Sequence, residues 1–231
     1  MGKRALGMSP FVTRMLRPLA TLLLRFLIAR APKSQYRGII LTALSGDDAR
    51  SEFEAKAVAA LDLIHAVSPN AAKRVDRYLP NIVMIAGGGY FYDHGLRAFV
   101  LDAPTLKRQG VEELALAIVH EATHARLASL GVGYGRELRP RVERICVAEE
   151  MRLARRLPGR GPELANWLES ILEKPWWTDQ DVRDIREKVY DSHGVPRPLR
   201  VRELPLSADP ARPGGAPAGG ARSGTDTPAA P

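Results

Sequence analysis

His120, Glu121 and His124 stand in the order H-E-x-x-H. Residues four apart on an α-helix share one face, one turn apart. Two imidazoles in that relation can hold one metal ion between them, and zinc accepts imidazole nitrogen readily. Glu121 borders the same face. A carboxylate there can take a proton from water that zinc has acidified to a pKa of about 7. The spacing therefore points to metal-assisted hydrolysis. Leu114, Ala117 and Ile118 lead into the histidines at helical spacing, so the imidazoles fall on or beside a core-facing side. Glu112 and Glu113 suit a first turn and Gly131 suits the residue after the last, which predicts a helix from Val111 to Leu130.

Two histidines do not hold a catalytic zinc, and a third protein ligand is required. A second helix is predicted from Pro140 to Leu157, with Val142, Ile145, Cys146, Met151, Leu153 and Leu157 as its apolar positions. Glu143 and Glu150 are seven apart and share a face, whereas Glu149 falls off it. Cys146 lies one turn from Glu143. As a thiolate it would close the site and make it structural; as a thiol it is a small buried apolar group.

Eighteen residues separate His124 from Glu143. In this the chain resembles the gluzincins, the zinc metallopeptidases of thermolysin and aminopeptidase-N type, over roughly Ile82 to Leu157. The resemblance implies that His120, His124 and Glu143 hold Zn2+ and that Glu121 is the general base. The chain departs from the pattern at two places. Val142 stands where an Asn is common, and Val147 stands where an Asp usually orients a zinc histidine. No Gly-x-Met-Glu-Asn segment is present, so the aminopeptidase subtype is not supported. A metal histidine needs a partner for its other ring nitrogen. Glu150, one turn beyond Val147 and Cys146, is the candidate for that place or an alternative ligand. The resemblance also implies a small sheet ahead of the zinc helix, whose edge strand pairs with an extended substrate.

Several elements must position these groups. Ile82 to Ala86 is predicted as a buried strand. Gly87-Gly88-Gly89 bends the chain, and a hairpin follows from Tyr90-Phe91-Tyr92 through Asp93-His94-Gly95 to Arg97–Leu101. Tyr36 to Leu44 is a further short strand. A helix from about Ala49 to Val67 presents Phe53, Ala57, Ala60, Leu61 and Ile64 on one face. His65 on that helix lacks a partner at metal spacing and is expected to be structural, as is His94 in its turn. A short basic helix covers Asn70 to Tyr78. Helices are also predicted at Glu163–Glu173 and from Thr178 to about Tyr190, with Trp167, Trp176 and Trp177 closing the core. Between the two zinc helices, Tyr134 is a candidate transition-state stabiliser, as is His193 near the C-terminal end. Arg136, Arg139, Arg141 and Arg144 could serve an oxyanion or a substrate carboxylate, and none is singled out.

The net charge is +8. Lys3, Arg4, Arg14, Arg17, Arg25, Arg30, Lys33 and Arg37 meet no acid before Asp47, so these eight account for the whole excess. Within residues 11–30, Arg14, Arg17, Thr21 and Arg25 form a polar stripe on an otherwise apolar segment. That composition suits a helix lying in an anionic membrane interface. A charge near a bilayer centre argues against a span. Nucleic acid is not an expected partner, because the cations are not interleaved with exposed aromatics. The single Cys146 fits a reducing, cytoplasmic compartment, with the protein peripheral at the membrane.

The expected organisation is a basic amphipathic segment over 1–35, a metallohydrolase domain over 36–203 and a disordered Pro/Gly/Ala-rich tail over 204–231. The expected fold is α+β, mostly α: a zincin-like domain with a small antiparallel sheet or hairpin before the H-E-x-x-H helix. The expected activity is zinc-dependent hydrolysis of a peptide or protein substrate. The competing expectation is a zinc-stabilised binding or regulatory module at a membrane surface, without catalysis.

Overall fold

The computed structural model describes Leu22 and residues 25–86, 90–135 and 137–173. The chain is α+β and mostly helical, with one five-stranded mixed sheet. A helix that includes residues 25–30 (α1) leads into strands β1 (Lys33–Tyr36) and β2 (Ile39–Ala43). Helices α2 (Asp47–Val67) and α3 (Pro69–Tyr78) follow. Next come β3 (Asn81–Ile85), β4 (Tyr90–Asp93) and β5 (Ala98–Asp102). The helices α4 (Ala103–Arg108), α5 (Val111–Ser129), α6 (Arg139–Ala154) and α7 (Gly161–Glu173) complete the described chain.

The strand order is β1-β2-β3-β5-β4. β2, β3 and β5 run parallel, and each edge strand is antiparallel to its neighbour. The expectation of a small antiparallel sheet is corrected here. The β4–β5 hairpin forms as predicted, but β3 pairs in parallel with β5 and with β2, on either side. The physical reason lies in the connections: α2 and α3 return the chain to the same end of the sheet before β3, and β4, running antiparallel to β5, returns it before β5. The predicted single strand from Tyr36 to Leu44 is also a hairpin. Arg37 and Gly38 both take positive φ, at 51° and 82°, which reverses the chain in a two-residue turn. The expected boundary between residues 35 and 36 therefore falls inside β1.

Side-chain alternation splits the sheet into two faces. Ile39 and Leu41 of β2, Ile82 and Met84 of β3, and Phe99 and Leu101 of β5 enter the main core beneath the helices. Val83, Ala98 and Val100 form a smaller cluster on the opposite face, where Ile28 of α1 covers them. α5 runs through the middle of the helical layer. From Leu114 to Thr123 every residue is buried, which a central helix packed by α2, α3, α6 and the sheet requires. Arg74 of α3 fastens this arrangement: its guanidinium donates to Thr123 Oγ1 of α5 at 3.1 Å and to Glu149 Oε2 of α6 at 2.7 Å. His65 pairs with Asp76 at 3.0 Å and joins α2 to α3, the structural role expected of it.

The expected amphipathic segment before residue 22, the glycine triplet 87–89, Arg136, Trp176, Trp177, the helix predicted from Thr178, His193 and the tail 204–231 lie outside the described residues. Trp167 is a correction. It is 53% exposed on α7 and walls a cleft instead of closing the core.

Candidate metal centre

α5 and α6 pack side by side and bring one face of each together. His120, His124, Glu143 and Glu150 all project into the seam. His124 Nε2 lies 3.0 Å from His120 Nε2. Glu143 Oε2 lies 3.3 Å from His120 Nε2, and its Oε1 lies 3.5 Å from His124 Nε2. The two imidazole nitrogens and the Glu143 carboxylate thus converge, with a different carboxylate oxygen toward each histidine. Ligand atoms about 2.0–2.1 Å from a tetrahedral zinc stand roughly 3.3 Å apart, and these three separations bracket that value.

His120 Nδ1 is hydrogen-bonded to Glu150 Oε1. With a cation in the seam, Nδ1 would donate to Glu150 and Nε2 would be the ligand nitrogen. Glu150, three residues beyond Val147, thus reaches the His120 ring nitrogen that faces away from the seam. A site that uses His120 Nε2 as a ligand is expected to bind Zn2+ about 10–100-fold more weakly when Glu150→Gln keeps the shape and removes the charge. Zinc titration against a competing chelator measures this, and equal affinity in the variant would deny Glu150 the orienting role.

The local charge balance favours a cation. Glu121, Glu143 and Glu150 are all buried around two imidazoles. Burial opposes the charged form of His120, but the carboxylates of Glu150 and Glu143 hold it well above the ordinary histidine range. His124 is pushed down to about 3 by burial and by the charge of His120. Burial works to raise Glu143, yet hydrogen bonding and the charge of His120 bring it down to about 2. One proton on His120 thus faces a surplus of buried carboxylate, and a divalent ion in the seam would balance that surplus.

Glu121 is 3% exposed and its carboxyl is raised to about 7, chiefly by burial, with the neighbouring carboxylates adding to it. It accepts a backbone hydrogen bond from Tyr92 of β4, while its Oε2 has no hydrogen-bond partner. A buried carboxylate oxygen without a partner is rare in folded proteins and marks functional sites.

Cys146 is buried one turn from Glu143, and its Sγ lies within 4.8 Å of the ligand nitrogens of both histidines. Burial and the charges of Glu143, Glu121 and Glu150 push its thiol up, away from the thiolate that binds metal. The two histidines could hold a cation together with Cys146 or with Glu143, whose oxygens lie 3.3 Å from His120 Nε2 and 3.5 Å from His124 Nε2.

The seam opens into a cleft of about 350 Å³. Tyr90, Phe91, Tyr92 and His94 wall one side, and Trp167, Leu168 and Ile171 of α7 wall the other. β4, an edge strand among the described residues, borders this cleft. Tyr134, a predicted transition-state stabiliser, is in the cleft wall, but its hydroxyl is hydrogen-bonded to Glu143 Oε1. Its ring packs edge-on against His124 at 5.2 Å, with the Arg139 guanidinium 5.6 Å away. Among the candidate arginines, Arg139 is buried while Arg141 and Arg144 are exposed on α6.

Two cleft residues escaped the sequence reading. Tyr90 is 42% exposed overall, but burial of its hydroxyl end and the charges of Glu150, Glu121 and Glu143 raise its pKa. It is a neutral donor facing the carboxylates. His94, expected only as a turn residue, also lines the cleft, stacked edge-on against Tyr92 at 5.0 Å. The run of three aromatic residues in β4 was the one signal for Tyr90; nothing local marked His94.

Comparison with protein-family models, with curated proteins and with solved structures gave no match.

Proposed function

We propose that the protein is a zinc-dependent metallopeptidase of gluzincin-like type, with His120, His124 and Glu143 as ligands and Glu121 as general base. The observation that carries this reading is the meeting of two histidine Nε2 atoms and one ionised carboxylate at 3.0 to 3.5 Å, at the foot of an open cleft. A zinc ion held there supplies Lewis acidity, polarising a carbonyl oxygen and acidifying water. The rest falls to the chain. Glu121 takes the proton of the attacking water and passes it to the leaving nitrogen, a task for a carboxyl whose pKa lies near the working pH. Glu150 keeps His120 in its ligand tautomer. Tyr90 in the cleft wall is the candidate donor to a developing oxyanion, a role Tyr134 could share once its hydroxyl leaves Glu143.

The substrate class follows from the cleft. Among the described residues β4 is the edge strand beside Glu121, and an extended peptide can add to such an edge through its main chain. The aromatic and aliphatic walls suit a peptide with bulky apolar side chains. A zincin-like arrangement of sheet, zinc helix and ligand helix is supported by the order β4, α5, α6 around this site. Cys146 is a free thiol, which suits the cytoplasm. No helix among the described residues is long and apolar enough to cross a membrane.

Elemental analysis of the purified protein tests the reading. About one zinc per chain is expected in the wild type and none in His124→Ala, by the ligand count a catalytic site needs. Wild-type protein that stays metal-free after reconstitution would reject it.

A further inference from the structure

Helix α1 covers the sheet face turned away from α5. Ile28 packs toward Val83, Ala98 and Val100, and Arg25 Nη2 donates to the carbonyl of Gly95 at 3.3 Å. On the other side of the helix Leu22, Phe26 and Leu27 are 59%, 53% and 46% exposed. Leu22 and Phe26 are four apart and share a face. The Arg30 guanidinium sits 4.8 Å over the Phe26 ring, so a cation borders the apolar surface directly. No Asp or Glu precedes Asp47, and the whole net charge of the protein is carried by the chain before it.

We infer that α1 seats the domain on an anionic lipid surface, and that the cleft takes its peptide from that surface. Exposed apolar side chains bordered by a cation, Arg30, match the headgroup boundary of such a bilayer, where the side chains enter the acyl region and the guanidinium meets lipid phosphate. A second copy of the chain is a poor occupant, because it would set one uncompensated cationic face against another. The link to the cleft is a single turn. His94 lines the cleft, and its neighbour Gly95 accepts the hydrogen bond from Arg25 of α1. The β4–β5 turn that ends the cleft is therefore held by the lipid-facing helix. A segment lying along the bilayer, or emerging from it, reaches the edge strand β4 at this end. This substrate assignment rests on the metallopeptidase reading; the lipid docking does not.

The test uses the full chain, sedimented with phosphatidylcholine vesicles and with mixed phosphatidylcholine–phosphatidylserine vesicles. Binding to the mixed vesicles is expected to be at least about tenfold tighter, to weaken with salt, and to be lost in Phe26→Glu/Leu27→Glu. Both residues are exposed and remote from the metal ligands, so the zinc content of that variant is expected to match the wild type. A fluorogenic peptide anchored to the mixed vesicles should be cleaved at least about tenfold faster than the same peptide free in solution, an advantage that the double variant loses. Equal binding to both vesicle types would overturn the docking. So would a dimer in light scattering that the double variant dissociates, which assigns the face to a second copy. Lipid binding with neither peptide cleaved would overturn the substrate assignment together with the metallopeptidase reading and leave the docking standing. Equal cleavage of both peptides without lipid binding would overturn this inference and leave the metallopeptidase intact.

Discussion

Glu121→Gln is expected to reduce peptide hydrolysis about 10²- to 10⁴-fold, the range that general acid–base groups contribute, while leaving one zinc per chain in place. The amide has the size of the carboxyl and can keep the hydrogen bond from the Tyr92 backbone. It cannot accept the proton of an attacking water. The variant therefore separates catalysis from metal binding and decides against or for a purely structural zinc module. A rate equal to wild type, at equal zinc content, would remove Glu121 from the mechanism. The same residue gives the sign of the acid limb. Burial and nearby carboxylates raise its pKa to about 7 without a cation, so it keeps its proton to a higher pH than an ordinary glutamate. Proton acceptance needs the deprotonated form. The wild-type rate must therefore fall as pH drops through that pKa, and a cation beside the carboxylate moves the fall to lower pH.

The site was more legible in the sequence than the sheet that supports it. His120, Glu121 and His124 declare their geometry through helical spacing, and Glu143 and Glu150 do so through a seven-residue repeat. Once α5 and α6 pack in register, those five groups must meet. The departure at Val147 left Glu150 as the candidate partner, and a longer side chain one turn on does reach a ring nitrogen of His120. What pairs β2 with β3 and β3 with β5 is different in kind. A parallel neighbour is chosen by where the connection returns the chain, through α2 and α3 before β3 and through the reversed strand β4 before β5, and no residue of Ile82–Ala86 records that choice. Trp167 failed for a related reason. Its type favours burial, but its place on α7 turns it to the cleft, where an exposed aromatic can meet a ligand. His94 carried no pattern at all; only the folding of the hairpin over α5 brings it to the cleft mouth.

Glu143→Ala is expected to weaken Zn2+ binding by more than about 100-fold, beyond the loss of an outer-shell partner, whereas Cys146→Ala should retain both zinc and activity. The contrast matters because the thiol also stands near both histidines. Two arguments favour the carboxylate. Glu143 is held ionised by His120 and lies 3.3 and 3.5 Å from the two histidine nitrogens. The thiol is buried among like-charged carboxylates that oppose its ionisation, and a thiolate added to the three donors would close the coordination that catalysis must keep open. Stability gives an independent reading. A ligand at a thousand times its Kd stabilises the native state by about 4 kcal/mol, and a domain of this size shifts by roughly 2–4 °C per kcal/mol. Chelation should then lower the wild-type Tm by roughly 8–16 °C and leave the Tm of Glu143→Ala unmoved. Cobalt substitution completes the test, since a cysteine ligand produces a sulfur-to-metal charge-transfer band and the His120–His124–Glu143 set does not. Zinc lost from Cys146→Ala and kept by Glu143→Ala, with that band present in the wild type, would replace the carboxylate by the thiolate and turn the centre into a structural one.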